Sequence, residues 1–160
     1  MNTVRTSIRE YLDENEYLAY RISGVSMLPM LRQEKDLVTL RRYDGKGLKK
    51  YDVAMYDRGG PRRYVLHRVV EVGDGSYTFL GDNCITKEIN IPESAIVAVL
   101  DSFTREGKQI SVNDTKYRIY VRVHCALFPI RKAYKLLRAR AAKVPALRKV
   151  WNLIHGRGNF

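Results

Sequence analysis

Residues 22–31 of the chain read ISGVSMLPML and place a serine two residues after a glycine and three before a proline. Gly24 permits a sharp turn of the backbone, and Pro29 is tolerated in the first turn of a helix. We therefore predict a strand, a tight turn at Gly24, and a helix that begins just after Ser26. A hydroxyl at such a corner is exposed and lies near backbone N–H groups, which suits a nucleophile. Serine is also a common helix N-cap, so this segment alone leaves both roles open.

Short apolar runs separated by turn signals surround this segment. The predicted strands are 17–23, 36–42, 52–56, 62–72, 76–80, 96–105 and 109–113. The turn signals between them include Arg-Gly-Gly-Pro at 58–61 and Gly-Asp-Gly at 73–75. This spacing predicts a mainly β fold with a twisted antiparallel β-domain, because a βαβ fold would alternate strands with long helical patterns. Apolar residues at helical spacing predict one short N-terminal helix over residues 3–15.

The net charge of +12 is concentrated at the C-terminal end of the chain. Residues 1–113 contain 17 Lys and Arg against 16 Asp and Glu, whereas residues 114–160 contain 12 against one. This asymmetry predicts a β-domain over 1–113 and a basic helical tail over 114–160. In the tail, apolar residues recur every three or four positions over 130–144 and again over 147–154, with Pro145 between them. We therefore predict two basic amphipathic C-terminal helices.

The same composition argues against several protein classes. The first twenty residues are charged and lack the apolar core of a secretory signal, and no apolar run approaches the roughly 20 residues of a membrane-spanning helix. Cys84 and Cys125 are too few for a disulfide framework and form no metal-binding pattern. We expect both to be reduced thiols of a cytoplasmic protein, and we expect neither a metal nor a cofactor.

A serine nucleophile needs a general base and a group that holds the tautomer of that base. His67 is the candidate base, since it lies in the strand-like run YVLHRVV of the β-domain, whereas His124 and His155 lie in the tail. Asp82 follows fifteen residues later in Gly-Asp-Asn at 81–83. Considered separately, His67 also suits a half-buried structural role, and Asp82 also suits a turn-forming role.

Taken together and in order, four segments resemble the type I signal peptidase superfamily, which also includes the self-cleaving SOS-type repressor domains. The matching segments are SGVSMLP at 23–29, DVAMY at 52–56, HRVVEV at 67–72 and LGDN at 80–83, and they span about residues 17–104. The resemblance implies a catalytic β-domain of the signal-peptidase type. It also implies a peptide substrate that binds as an extended strand beside the site.

The resemblance assigns a role to each candidate residue. It implies Ser26 as the nucleophile, His67 as the general base and Asp82 as the acid that orients the histidine. Most bacterial members use a lysine base, so a histidine resembles the endoplasmic-reticulum and archaeal branch. That branch has a further acid just after its Gly-Asp-Asn segment, and Glu88 is the alternative acid here. Many members have a hydroxyl residue at the position of Gly24, so the oxyanion hole is expected to use backbone N–H groups, including that of Ser26.

The expected function is that of a serine endopeptidase that cleaves a leader or precursor peptide. Two alternatives stay open: a non-catalytic relative that binds extended peptides, and a basic nucleic-acid-binding protein. Nucleic acid is the less favoured partner, because the chain lacks the aromatic–basic motifs of common single-strand binders.

The tail raises a separate question about location. No membrane span or DNA-binding domain is expected before Ser26. Residues 126–160 are expected to lie on an anionic membrane surface, which would make the enzyme peripheral on the cytoplasmic face of the cell membrane. The tail can instead pack on the β-domain, or bind nucleic acid or an acidic peptide.

Overall fold

A computed structural model describes residues 7–60 and 63–143 of the chain. Its helices and strands are α1 (Ile8–Glu14), β1 (Tyr17–Arg21), β2 (Leu37–Arg42), β3 (Val53–Asp57), β4 (Tyr64–Val72), β5 (Ser76–Leu80), β6 (Glu88–Pro92), β7 (Ile96–Arg105), β8 (Lys108–Ser111), α2 (Thr115–Ala126) and α3 (Phe128–Ala142). The fold is mainly β, with eight antiparallel strands in an open sheet and three helices, which confirms the predicted fold class. The chain divides into two compact units between Arg122 and Val123.

The sheet has the strand order β1-β2-β7-β3-β4-β5-β6, with β8 also paired to β7. The long strand β7 pairs with β2 on one side; on the other it pairs first with β3 and then with β8. Strand β4 pairs with β3 through residues 64–68 and with β5 through residues 68–72. Within the described part of the chain, residues 64–67 therefore have strand partners on one side only, and this open edge becomes important at the site.

Alternating side chains build the core of the first unit. Val38 and Leu40 of β2 are buried, whereas their neighbours in the strand are partly or fully exposed. Tyr56 of β3 stacks on Phe79 of β5 with ring centroids 4.4 Å apart. Burying a side chain of this size contributes about 1.5–3 kcal/mol, so the apolar period of two fixes which face of each strand turns inward.

Helix α1 has an N-terminal capping box that its sequence favours. The Ser7 hydroxyl accepts the Glu10 N–H at 3.2 Å, and the Glu10 carboxylate accepts the Ser7 N–H at 2.8 Å. This reciprocal pair provides acceptors for two backbone N–H groups that have no carbonyl partner within the helix. The predicted helix over 3–15 is thus found at Ile8–Glu14, and residues 3–6 lie outside the described residues.

Three elements differ from the sequence-based prediction. The chain forms successive turns after Ser26 instead of the predicted helix, because Leu28 precedes Pro29 and a residue before proline disfavours the helical conformation. The Leu28–Pro29 peptide bond is cis. Strand β6 was not predicted, since its five residues end in proline and lack a clear alternation. Helix α2 was also missed, because its β-branched and aromatic residues are weak helix formers.

The C-terminal prediction is confirmed in part. The apolar pattern over 130–144 corresponds to α3, which spans Phe128–Ala142. The second predicted helix, over 147–154, lies outside the described residues. Across residues 7–60 and 63–143, the helices are too short or too polar to cross a membrane.

Candidate active site

The turn that carries Ser26 follows β1 and is held by the segment after β5. The backbone N–H of Asn83 donates to the Ser26 carbonyl oxygen at 2.7 Å, and its side-chain amide donates to the Val25 carbonyl oxygen at 3.1 Å. Gly24 has a φ of 96°, a conformation that side chains other than glycine rarely adopt. The predicted sharp turn at Gly24 is therefore present, and it presents Ser26 on a backbone with fixed contacts.

The C-terminal side of the same turn is fixed by a buried carboxylate. Arg105 donates to the Met30 carbonyl oxygen at 2.5 Å and to Asp36 at 2.6 Å, and the Arg32 backbone N–H donates to Asp36 at 2.9 Å. Burial by itself would raise the pKa of Asp36, but the hydrogen bonds from Arg105 and Arg32 outweigh it and hold that pKa below its ordinary value. Ser26 thus lies between two anchored points of the loop.

His67 lies in the middle of β4 and is almost fully buried. Its Nδ1 atom is 3.3 Å from the Glu88 carboxylate and 3.3 Å from the Tyr56 hydroxyl. A neutral imidazole with its proton on Nδ1 donates to the carboxylate and leaves Nε2 as an acceptor. This arrangement suits a base that takes a proton through Nε2.

Gly81 shows how closely the other side of the ring approaches the serine turn. A Cβ added at Gly81 would lie 2.9 Å from His67 Nε2, 2.8 Å from the Ser26 carbonyl oxygen and 2.8 Å from Cys84 Sγ. Contacts this short essentially never occur for a real Cβ. The absence of a side chain at Gly81 therefore lets the histidine ring and the Ser26 backbone come together.

Ser26 and His67 line one cleft of about 540 Å³, together with Glu88. Within the described part of the chain, neither the Ser26 hydroxyl nor its backbone N–H makes a hydrogen bond. Catalytic hydrogen bonds are often long without substrate and shorten in the complex, so a shared cleft is compatible with proton transfer. The N–H of Ser26 has no acceptor within the described residues.

The environment of His67 sets its protonation state. Burial lowers the pKa of His67 below its ordinary value of 6.5, and the charge of Glu88 offsets part of that effect. The ring is therefore neutral at neutral pH and can accept a proton. Burial also raises the pKa of Tyr56, so its hydroxyl keeps its proton beside the imidazole.

Asp82, the acid first expected to orient His67, binds Arg68. Its two carboxylate oxygens accept from Arg68 Nε at 2.8 Å and Nη2 at 2.7 Å. Consecutive residues of a strand point to opposite faces, so the partner of Arg68 lies across β4 from the imidazole of His67. The acid at His67 Nδ1 is Glu88, the alternative raised by the sequence. Asp82 therefore pairs with Arg68, and Glu88 contacts His67.

Arg68 is a site-building residue that the sequence analysis missed. Its side chain is 1% exposed, and it also donates to the Tyr51 carbonyl oxygen at 2.9 Å and contacts the Met30 sulfur. Burial by itself would lower the pKa of Arg68, but hydrogen bonding and attraction to Asp82 outweigh it and raise that pKa. A charged residue inside the apolar run VLHRVV is a signal for a buried ion pair, because an isolated buried charge is costly.

In residues 7–60 and 63–143, no group of three His, Cys, Asp or Glu side chains could hold a metal ion. Cys84 lines the cleft but is not needed as a nucleophile while Ser26 lies in the same cleft.

Comparisons with family models, curated proteins and solved structures found no match to this chain. A functional conclusion therefore has to come from the residues of the cleft.

Proposed function

We propose that the chain is a serine endopeptidase of the signal-peptidase type, with Ser26 as nucleophile, His67 as general base and Glu88 as the acid that orients the base. One observation carries the proposal: Ser26 and His67 line the same cleft while Glu88 lies 3.3 Å from His67 Nδ1. Such a serine–histidine–acid set is recognised by geometry and roles, whatever the fold and the order of the residues.

The reaction proceeds through an acyl-enzyme. Ser26 Oγ attacks the carbonyl carbon of the scissile peptide while His67 Nε2 takes the hydroxyl proton. The Ser26 backbone N–H stabilises the oxyanion, and the Glu88 carboxylate stabilises the imidazolium. The carbon–nitrogen bond then breaks as His67 gives its proton to the leaving amine. A water molecule, deprotonated by His67, hydrolyses the ester and restores the Ser26 hydroxyl.

The proposed substrate is an extended leader or precursor peptide. The open edge of β4 at residues 64–67 lines the cleft, so a peptide can add to it as an antiparallel strand. Met55 and Leu66 supply apolar lining for its side chains. Tyr64 also lines the cleft, and within the described residues its buried hydroxyl has no hydrogen-bond partner.

The test compares wild-type protein and Ser26→Ala on a peptide library and on candidate precursor peptides, with products read by mass spectrometry. We expect cleavage by wild type and none by Ser26→Ala. Ser94→Ala is the matched control, since Ser94 is exposed and lies away from the cleft. Products that survive Ser26→Ala defeat the nucleophile assignment. Peptide binding by wild type without cleavage would favour the non-catalytic relative.

We also propose that the second unit attaches the enzyme to the cytoplasmic face of a membrane. Five apolar side chains are 44–66% exposed and recur every three or four residues: Val123, Leu127, Ile130, Tyr134 and Leu137. Cations lie between them at Arg131, Lys132 and Lys135, and just after them at Arg138 and Arg140. Exposed apolar side chains at helical spacing with cations near them suit an anionic lipid surface, where the apolar side chains enter the interface and the cations meet headgroups.

Vesicle co-sedimentation tests this attachment. We expect the full chain to sediment with vesicles that contain anionic lipid, and Ile130→Asn/Leu137→Asn to remain in the supernatant. The control is Val72→Asn/Ile89→Asn, which removes two exposed apolar residues from the first unit. Equal sedimentation of all three proteins would rule out the apolar side chains of α3 as the membrane contact.

A further inference from the structure

The first unit contains a second and larger cleft, of about 740 Å³. The loop between β2 and β3, strand β7 and the first turns of α2 surround it. Six cations line this basic cleft: Arg41, Lys46, Lys49, Lys50, Arg118 and Arg122. Three acids also line it: Asp44, Asp52 and Asp101. The excess of positive charge makes an anionic ligand the favoured occupant.

Four of the six cations are available to a ligand. Asp44 pairs with Lys46 at 3.2 Å and with Arg41 at 3.6 Å, so those two cations are partly neutralised. Lys49, Lys50, Arg118 and Arg122 make no ion pair with any residue in the described ranges 7–60 and 63–143. Cations gathered around a concave surface attract an anion more strongly than the same charges on a flat surface.

The acids of the basic cleft distinguish between anionic ligands. Asp52 is partly buried, and one of its carboxylate oxygens accepts the Lys49 N–H at 2.8 Å. Asp101, on β7, also lines the basic cleft. Carboxylates accept the backbone N–H groups of a peptide, whereas a sugar–phosphate backbone has no N–H to donate. The mixed lining therefore favours an acidic peptide over a nucleic acid.

Arg68 connects the basic cleft with the candidate active site. Its Nη1 atom donates to the Tyr51 carbonyl oxygen at 2.9 Å and lies 3.4 Å from the Tyr117 hydroxyl, and both tyrosines line the basic cleft. Its other nitrogens bind Asp82, whose neighbour Asn83 holds the Ser26 carbonyl oxygen. The guanidinium of Arg68 thus contacts two tyrosines of the basic cleft on one side and Asp82 on the other. Asp82 is next to Asn83, which anchors the serine turn.

We propose that the basic cleft binds an acidic segment of the precursor that the peptidase cuts, at a place separate from the cleft of Ser26. The inference rests on the proposed function, since it takes the ligand and the substrate to be parts of one peptide. Tethering the precursor through its acidic segment raises the effective concentration of the scissile segment at Ser26. The basic cleft then selects which peptides reach the catalytic cleft.

Binding is tested on the full chain with Ser26→Ala, so that no cleavage intervenes. The probe is a fluorescein-labelled octaglutamate peptide, followed by fluorescence anisotropy. We expect Lys49→Gln/Lys50→Gln to weaken binding about tenfold, because two cations that meet the peptide are lost. The matched control is Lys35→Gln/Lys108→Gln, which removes the same charge from exposed positions outside the cleft and should leave binding nearly unchanged.

Three results would overturn the inference. Equal weakening by the control pair would mean that net charge alone attracts the probe. Tighter binding of a single-stranded oligonucleotide of equal charge would identify the basic cleft as a nucleic-acid site. If Ser26→Ala with an intact basic cleft does not bind octaglutamate while wild type cleaves non-acidic peptides, only the acidic-segment site is contradicted. If octaglutamate binds but wild type cleaves no peptide, only the proposed peptidase function is contradicted.

Discussion

Glu88 places its carboxylate 3.3 Å from Nδ1 of His67, across from the ring nitrogen that faces the serine turn. Glu88→Gln should keep the shape of this contact but lose the charge that stabilises the imidazolium. We expect kcat to fall by between about 10² and 10⁴-fold, with little change in KM. Steady-state kinetics on one cleaved peptide measure the effect. A kcat within a factor of about two of wild type would remove Glu88 from the catalytic set.

Asp82 should matter for stability because it neutralises the buried Arg68. Asp82→Asn leaves a guanidinium uncompensated in the core, and we expect the free energy of unfolding to fall by about 3–5 kcal/mol. Urea denaturation measures it. Glu71→Gln is the control, since Glu71 pairs with Lys87 at the surface and its loss should cost less than about 1 kcal/mol. Similar losses in the two variants would contradict the buried pair as a stabilising contact.

Gly81 should tolerate no side chain. In Gly81→Ala, the new Cβ would approach the Ser26 carbonyl oxygen and His67 Nε2 to less than 3 Å, so one of them has to move. A displacement of about 1 Å at reacting groups costs on the order of 10² in rate. Gly73→Ala is the matched control, because its nearest contacts are at 3.4 Å. Full activity in Gly81→Ala would show that the ring and the serine turn need not lie so close.

At acidic pH, the dependence of kcat/KM on pH should follow the protonation of His67. Protonated imidazole cannot accept the Ser26 proton, so kcat/KM rises with pH through the pKa of His67. Because burial lowers that pKa below 6.5, half-maximal kcat/KM should lie below pH 6.5. Glu88→Gln should move this half-maximal point to lower pH, and Arg58→Gln, which removes a nearby cation, should move it to higher pH.

An NMR titration of the His67 ring protons gives the same two shifts without relying on activity. Shifts of equal sign in Glu88→Gln and Arg58→Gln would contradict the assignment of this pH dependence to His67. A half-maximal pH above 6.5 in wild type would contradict the dominance of burial over the charge of Glu88.

The open edge at residues 64–67 makes a prediction about substrate. A peptide that pairs with this edge needs its backbone N–H groups, so N-methylation at alternate positions should weaken binding, whereas methylation of the intervening positions should not. Competition against cleavage of one unmodified peptide measures both series. Equal effects of the two series would argue against strand addition at β4.

Local sequence patterns predicted most of the fold. Short apolar runs separated by turn signals located seven of the eight strands to within a few residues, because both signals are local and need no knowledge of distant partners. Strand β6 was not predicted, because it is a strand through its pairing with β5 and its own composition gives no strand signal. Helix α2 escaped for a similar reason: its β-branched residues favour strands, and the burial of Tyr117 and Val121 overrides that preference.

The sequence by itself determined the chemical types available at the site: a serine on a glycine turn, a histidine in the β-domain and two nearby acids. It could not decide between Asp82 and Glu88, because both follow His67 at a distance that the chain can span. The tertiary structure decided where each lies, since pairing across β4 and β5 puts Asp82 on Arg68 and the start of β6 puts Glu88 on His67. The physical reason is that a strand sends neighbouring side chains to opposite faces, and only the assembled sheet fixes what each face meets.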